Sequence, residues 1–537
     1  MRLALRRVLL PLVLLSTGCA SDPPPPEPRP VAAPEDGGDA AVLPARAAPT
    51  SAAQVAIDAG ANAEAPAAKD AKDARPRLGS IGYTTWIVSD KLAKNRIGQV
   101  RPGTTIPLRT EAPVELPRRS DHGRCKSGRL YEVEPRGYVC EDDTVTRDLE
   151  GPLFRALAFA APREGARPYD YAFTTRAPMY GKVPAEKEQR RAERRMWPIE
   201  KLAKVRRSTD GHEDLDELTP PKPTGPIPDF LAKNPELPVP MGRREGLVRK
   251  EIPYGSMLSF SHSFDANGRT FLLSPDLTLV PADRVRPFRP SSFRGIPIDE
   301  AHPLPLGWFR KKPRPRYRRD EKGSFVETGE PWAPRTFVGL TGKKVEHDGD
   351  LFWETREPGP LYARARDVSI VREPEEIPDV VSPDEKWIDV SLGQGTLTLF
   401  EGKRAVYSTL MSPGAGGVTQ DPKMKTEELV RAALTPLGRY RIAVKSRATQ
   451  LTDEATPDPT SFWISDVPWV QYFRNPFAIH AAYWHEDFGS PKSGGCINLS
   501  PEDAMHVFAW TEPHVPEGWA SIEARRDELG TWIVIRK

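Results

Sequence analysis

The chain has little cysteine and almost no excess charge. Its 537 residues include four Cys, and 77 Lys and Arg against 74 Asp and Glu leave a formal net charge of +3. Such a balance offers no electrostatic footprint for nucleic acid, and no nucleic-acid partner is expected. No Cys or His pairs stand at metal-ligand spacing, so neither a metal nor a cofactor is expected. Hydrophobic residues are scarce at 38%, while 59 prolines are about twice the usual share. One core cannot serve a chain this long. Compact, mainly β modules joined by extended linkers are expected.

Long apolar runs are also lacking, with one exception. Met1–Arg7 is basic, and Val8–Leu15 is apolar but too short to span a bilayer as a mature helix. The run ends at Ser16-Thr17-Gly18-Cys19, which resembles the bacterial lipobox. That resemblance implies that residues 1–19 are a lipoprotein signal and that Cys19 carries the lipid. The expectation is an exported, periplasmic protein held to a membrane by a lipid anchor, the outer membrane being favoured. An ordinary secretory signal or an uncleaved anchor is the alternative, and either also takes the chain out of the cytoplasm. Residues 20–78 hold no aromatic residue and are rich in Ala, Pro and Asp. Nothing there can bury a core, so they read as a disordered tether.

Export makes a disulfide plausible. Cys125 and Cys140 bracket a segment that reads as a hairpin around Pro135-Arg136-Gly137, and closing it should add roughly 3 kcal/mol. With Cys19 lipidated and Cys125–Cys140 bonded, Cys496 alone is left as a thiol. A lone thiol in an oxidising compartment is a hazard unless it is used.

From about 79 to 378 short strands alternate with Gly and Pro punctuation. A weak repeat is visible: Gly128-Arg-Leu-Tyr131 before Tyr138–Val145, Gly268-Arg-Thr-Phe271 before Leu279–Val285, and Gly349-Asp-Leu-Phe352 before Leu361–Val368. The units resemble bacterial SH3-like domains, which implies small barrels at 79–150, at 151–290 with a charged and Pro-rich insertion, and at 291–378. Their ligand is open: they contact peptidoglycan or act as spacers. Ala185–Met196 mixes charges at helical spacing and reads as a solvated helix.

The texture changes in the last part, 379–537. Alternating strands run from Lys386 to Leu410, Thr426–Leu434 looks helical, and Ser500-Pro501-Glu502-Asp503 is a strong helix start. His480 ends an apolar strand sixteen positions before Cys496. A thiol needs a base or a positive neighbour to become a nucleophile, and His480 can be that base. Gly494 and Gly495 let the chain turn tightly and aim N–H groups at a developing oxyanion. Burial of Cys496 as an apolar residue, and metal binding by His480, His485 and Cys496, are the competing readings.

Together, Asp389-Val390, Thr435-Pro436-Leu437-Gly438, His480 and Ser493-Gly494-Gly495-Cys496-Ile497-Asn498 resemble the L,D-transpeptidase catalytic domain of the YkuD-like family. The resemblance implies a β-sandwich with a short helix after the Cys. It implies Cys496 as nucleophile, His480 as base, the Ala481 carbonyl as its orienter, and an oxyanion hole from the amides of Gly494, Gly495 and Cys496. Ser493 braces the turn. Tyr483, Trp484, His485 and Asn498 are candidates for substrate contact. The implied donor is a peptidoglycan tetrapeptide stem, which loses its terminal D-Ala; the implied acceptor is another stem, a lysine of an anchored protein or a free D-amino acid. Two features depart from the pattern. Gly494 stands where the family usually has His, and Ser412–Leu434 is long. Two other functions remain open: a peptidase that gives the thioester to water, and a wall-binding scaffold whose catalytic domain has decayed. No protein partner is indicated.

Overall fold

The computed structural model describes residues 75–91, 95–116, 125–196, 219–233, 237–238, 245–418, 424–452 and 463–537. Cys19, the signal run and the tether up to residue 74 lie outside them. The chain is mainly β, 43% strand against 10% helix.

The weak repeat is a repeated structure. Arg129–Glu132 pairs antiparallel with Tyr138–Cys140, Arg269–Leu273 with Leu279–Pro281, and Asp350–Thr355 with Leu361–Arg364. Gly128, Gly268 and Gly349 all take left-handed φ, at 70°, 74° and 78°. Before two of them stand Asn267 and Asp348, also left-handed, which makes Asn-Gly and Asp-Gly hairpin turns. Cys125 and Cys140 are disulfide-bonded. The helix in the charged segment, Glu186–Ala192, is not simply solvated. Just past its end, the half-buried Glu193 sits between Arg269 and Arg284, at 2.7 and 2.5 Å, and accepts a hydrogen bond from Tyr180.

The modules are not strung on linkers. Strand Val248–Phe260 pairs along Asp170–Tyr180 and meets Trp463–Arg474 in parallel at Met257 and Ile464. Strand Arg96–Val100 pairs with Ser521–Glu523. One sheet therefore runs from the second module through the C-terminal region to the first. A separate sheet covers 306–371.

The C-terminal region is a β-sandwich. One sheet has the order 296–297, 404–410, 396–401, 386–391, 532–536, 438–441. The facing one contains 521–523, 444–452, 463–474, 477–481 and 497–499. Ile388, Val390, Leu397 and Leu399 of the first pack against Phe477, Ile479, Ile497 and Leu499 of the second, with Ala504 and Val507 of helix Pro501–Trp510. Burial of each large apolar side chain contributes roughly 1.5–3 kcal/mol. The outer face of the first sheet is also covered. Trp387 stacks on Phe400 at 4.6 Å beneath Val381, Ile298 and Leu304. Burial on both faces explains why Leu397-Thr-Leu-Phe400 reads as a nearly continuous apolar run.

Candidate active site

Strand register places His480 and Cys496 on one face. Phe477–Ala481 pairs in parallel with Ile497–Leu499, with Ile479 opposite Ile497 and His480 opposite Asn498. Side chains alternate along a strand. Cys496, one residue before Ile497, therefore shares a face with Asn498 and His480. Ala478 aligns with it, and an Ala478 N–H is directed at the thiol.

The His480 tautomer follows from its partner. Nδ1 lies 3.0 Å from the Ala481 carbonyl oxygen, which can only accept. Nδ1 therefore carries the proton and Nε2 the lone pair, as a general base requires. The ring is 2% exposed, and burial pulls its pKa down to about 4. It is neutral at pH 7. Cys496 keeps part of its surface in solvent. Burial of the rest pushes the thiol up to about 11, against the opposing pull of the Ala478 N–H. The resting pair is thus neutral thiol and neutral imidazole.

Tyr472 is a site residue that motif reading missed. It lies opposite Ala478 on the neighbouring strand, and its phenol interacts electrostatically with the Cys496 thiol. Burial first, then the nearby thiol, pushes its phenol up to about 12. The signal was the Asn475-Pro476 turn, which sets the hairpin register that puts Tyr472 beside Ala478.

The turn before Cys496 is held from within and from outside. Ser493 Oγ donates to the Cys496 carbonyl and accepts from the Gly495 amide at 3.0 Å. The Ser493 and Lys492 amides donate to the Pro413 carbonyl, and Ala415 N–H donates to the Ser493 carbonyl. The long Ser412–Leu434 segment thus begins as the wall of the cysteine turn. Its helix is shorter than expected, Thr426–Arg431. Thr435 Oγ1 accepts from Gly414, tying the Thr-Pro-Leu-Gly turn to the same wall. Gly495 has φ +123°, and a Cβ there would lie 2.7 Å from the Phe477 ring. Gly494 is exposed, and a Cβ there would meet nothing within 4 Å.

Three of the candidate substrate contacts are buried and engaged by other residues. His485 Nδ1 accepts from the Asp487 amide at 3.2 Å, and its Nε2 lies 2.9 Å from the Asn498 carboxamide. The proton is therefore on Nε2; Asn498 is placed with Nδ2 toward it and Oδ1 buried without a partner, and turning the carboxamide end for end satisfies both groups. This pair braces the turn, and with both nitrogens engaged His485 is not poised to ligate metal. Tyr483 is buried, stacked on Tyr171 at 3.7 Å, and donates to the Ser465 carbonyl. Trp484 packs 5.7 Å from the His480 ring. The Gly495 amide is also taken, by Ser493, which removes it from the expected oxyanion donors.

After Cys496, Ser500 Oγ accepts from the Asp503 amide and Pro501 opens the helix, as the sequence predicts. Asp503 is fully buried and takes hydrogen bonds from Gly295 N–H, Tyr407, Thr409 and Ser500. Asp389 holds Arg536 at 2.7 and 2.8 Å.

No curated protein matches the chain. Among solved structures, similarity extends to an L,D-transpeptidase from Xylanimonas cellulosilytica, at 20% identity over 31% of this chain and 64% of that one, with TM-score 0.20. L,D-transpeptidase 3 from Mycobacterium tuberculosis is 17% identical over 37% and 79%, with TM-score 0.21. The catalytic domain of an E. faecium L,D-transpeptidase is 16% identical over 28% and 98%, with TM-score 0.19. The chain spans less than two thirds of the Xylanimonas protein. Residues 385–535, which hold His480, Cys496 and the turn before it, match the family model of the YkuD L,D-transpeptidase catalytic domain.

Proposed function

We propose that the protein is an exported, lipid-anchored L,D-transpeptidase acting on peptidoglycan stems. The observation that carries this reading is the parallel register that sets Cys496 and His480 on one face, inside the segment that matches the catalytic domain. Cys496 Sγ attacks the carbonyl of the third, L-centred residue of a tetrapeptide. His480 Nε2 takes the thiol proton as the S–C bond forms, since neither group is charged at rest. The amides of Gly494 and Cys496 hold the oxyanion. Collapse expels D-Ala, whose amine takes the proton from His480. An amine acceptor then attacks the thioester, and Cys496 leaves with its proton restored. Cys19 anchors the chain, and the tether after it gives reach from the membrane, ending before strand Arg77–Ser80, which is packed in the fold.

The test is release of D-Ala from a disaccharide tetrapeptide by the purified chain, with product masses recorded with and without an amine acceptor. Release by the wild type and none by Cys496→Ala supports the reading. Equal behaviour of the two sinks it, and a product hydrolysed even when amine is abundant makes it a peptidase.

A further inference from the structure

We propose that the upstream modules are part of the catalytic apparatus: they clamp the segment 482–493 that carries the chain from His480 to Cys496. The inference rests on the transpeptidase reading for its activity readout, but not for its geometry. Four contacts from outside the catalytic domain converge on this one segment. Tyr171 stacks on Tyr483 at 3.7 Å, two residues past Ala481. Phe293 stacks on Phe488 at 5.6 Å. Lys311 Nζ lies 2.6 Å from Asp487, whose other oxygen takes Lys492 at 2.8 Å. Arg335 pairs with Glu486 at 3.1 Å and reaches its backbone carbonyl at 3.4 Å.

These contacts are built rather than incidental. Arg335 sits at φ +57°, a conformation that a long side chain seldom takes, and its amide donates to the Phe309 and Arg310 carbonyls. Asp487 and Glu486 keep only 13% and 21% of their side-chain surface. Inside the segment the clamp meets the brace already described: the Asp487 amide holds His485, and Ser412 Oγ donates to the Asp487 carbonyl at 3.0 Å. A shift of Asp487 therefore moves His485, then Asn498, then the strand that follows Cys496. Lys311 and Arg335 act as positioning residues, since they reach the reacting atoms only through this segment.

The experiment uses the full chain carrying Lys311→Met with Arg335→Met, and separately Arg335→Glu, Glu486→Arg and their combination. The expected result is a fall in kcat of about tenfold for D-Ala release, with KM within about twofold of wild type. Amide hydrogen exchange should quicken across 482–493 and stay unchanged in strand 396–401. Combining Arg335→Glu with Glu486→Arg should recover most of the loss seen in either alone, which a general loss of stability would not allow. A doubly substituted chain with wild-type kcat and unaltered exchange overturns the clamp, as does failure of the swap to recover. Should the wild type release no D-Ala, the function proposed above falls, and the exchange comparison alone decides the clamp: quickened exchange upholds it and unaltered exchange overturns it.

Discussion

Two adjacent glycines precede Cys496, and they are not equivalent. Gly495 is fixed by its φ of +123° and by the Phe477 ring 2.7 Å from where a Cβ would stand. Gly494 has neither constraint. Gly495→Ala should therefore cost roughly 1–3 kcal/mol through backbone strain and abolish thiol acylation. Gly494→His should fold with a melting temperature within about 2 °C of wild type. Melting curves and D-Ala release separate the two. If Gly494→His also raises kcat, the ring common at this position elsewhere supplies a polar contact that this chain lacks. Equal collapse of both variants would contradict the geometry. The His480 ring makes a second prediction. Its folded pKa is about 4 against about 6.5 for an unhindered His, so between these values the unfolded chain binds the extra proton. Stability then rises with pH through this window, and the ring's penalty reaches about 3 kcal/mol below it. Denaturant unfolding of wild type against His480→Gln from pH 4 to 7 should show a gap that changes in favour of the wild type as pH rises. A pH-independent gap would refute the buried neutral imidazole.

At the scale of elements, helix Pro501–Trp510 is held at both ends. Ser500 caps its start, and Lys445 Nζ donates to the Phe508 and Thr511 carbonyls at 2.7 Å each. Lys445 is fully buried, and that burial pulls its pKa down to about 7. Its position at the helix C-terminus opposes that cost, because a cation there meets the negative end of the dipole and fills the last carbonyls. Lys445→Met should leave the Thr511 carbonyl without its donor and the Phe508 carbonyl with only a long contact from the Thr511 hydroxyl at 3.4 Å, and destabilise the chain by about 1–3 kcal/mol. Urea titration measures it, and a neutral outcome would mean that water replaces the amine. The start of this helix was legible in the sequence because Ser, Pro and two carboxylates act locally. So were the glycine turns of the repeat, the Cys125–Cys140 hairpin and the apolar strand ending at His480. Lys445 was not, since a Lys inside an alternating strand reads as solvated until the helix is placed over it. Tyr472 and the His485–Asn498 pair were hidden for a related reason. They depend on which strands become neighbours, and that is set by pairing between segments far apart in sequence. The burial of Tyr483 was equally out of reach, because the ring that covers it, Tyr171, is supplied by a different module.

At the scale of the whole molecule, one largely buried ion pair lies where three parts of the chain meet. Arg101 of the first module pairs with Asp466 of the catalytic domain, and Ser259 of the second module donates to the same carboxylate, as does Ser465 at 2.9 Å. Burial alone would raise the Asp466 pKa, but Arg101 and the two hydroxyls outweigh it and hold it below the usual carboxylate range. Asp466 also sits at φ +45°, so this contact fixes an unusual bend in the strand that leads toward Tyr472. Tyr171 donates to the Asp466 carbonyl and stacks on Tyr483, which carries the junction to the segment beside His480. Arg101→Met removes the cation and leaves the largely buried Asp466 charge with only the Ser259 and Ser465 hydroxyls. The expected loss is about 3–5 kcal/mol, most of it the cost of the stranded carboxylate. Arg101→Met combined with Asp466→Asn should recover part of that loss, because it removes the charge as well. Calorimetry gives a sharper outcome. Since one sheet passes through the first module, the second and the catalytic domain, wild type should unfold in a single transition. Arg101→Met should lower that transition and split it, the first module melting before the rest. A fragment of residues 379–537 should expose the edges at Ser521–Glu523 and Trp463–Arg474, with Tyr483 and Phe488 uncovered, and associate in solution. A monomeric, fully active fragment would show that the catalytic sandwich needs none of what is packed against it.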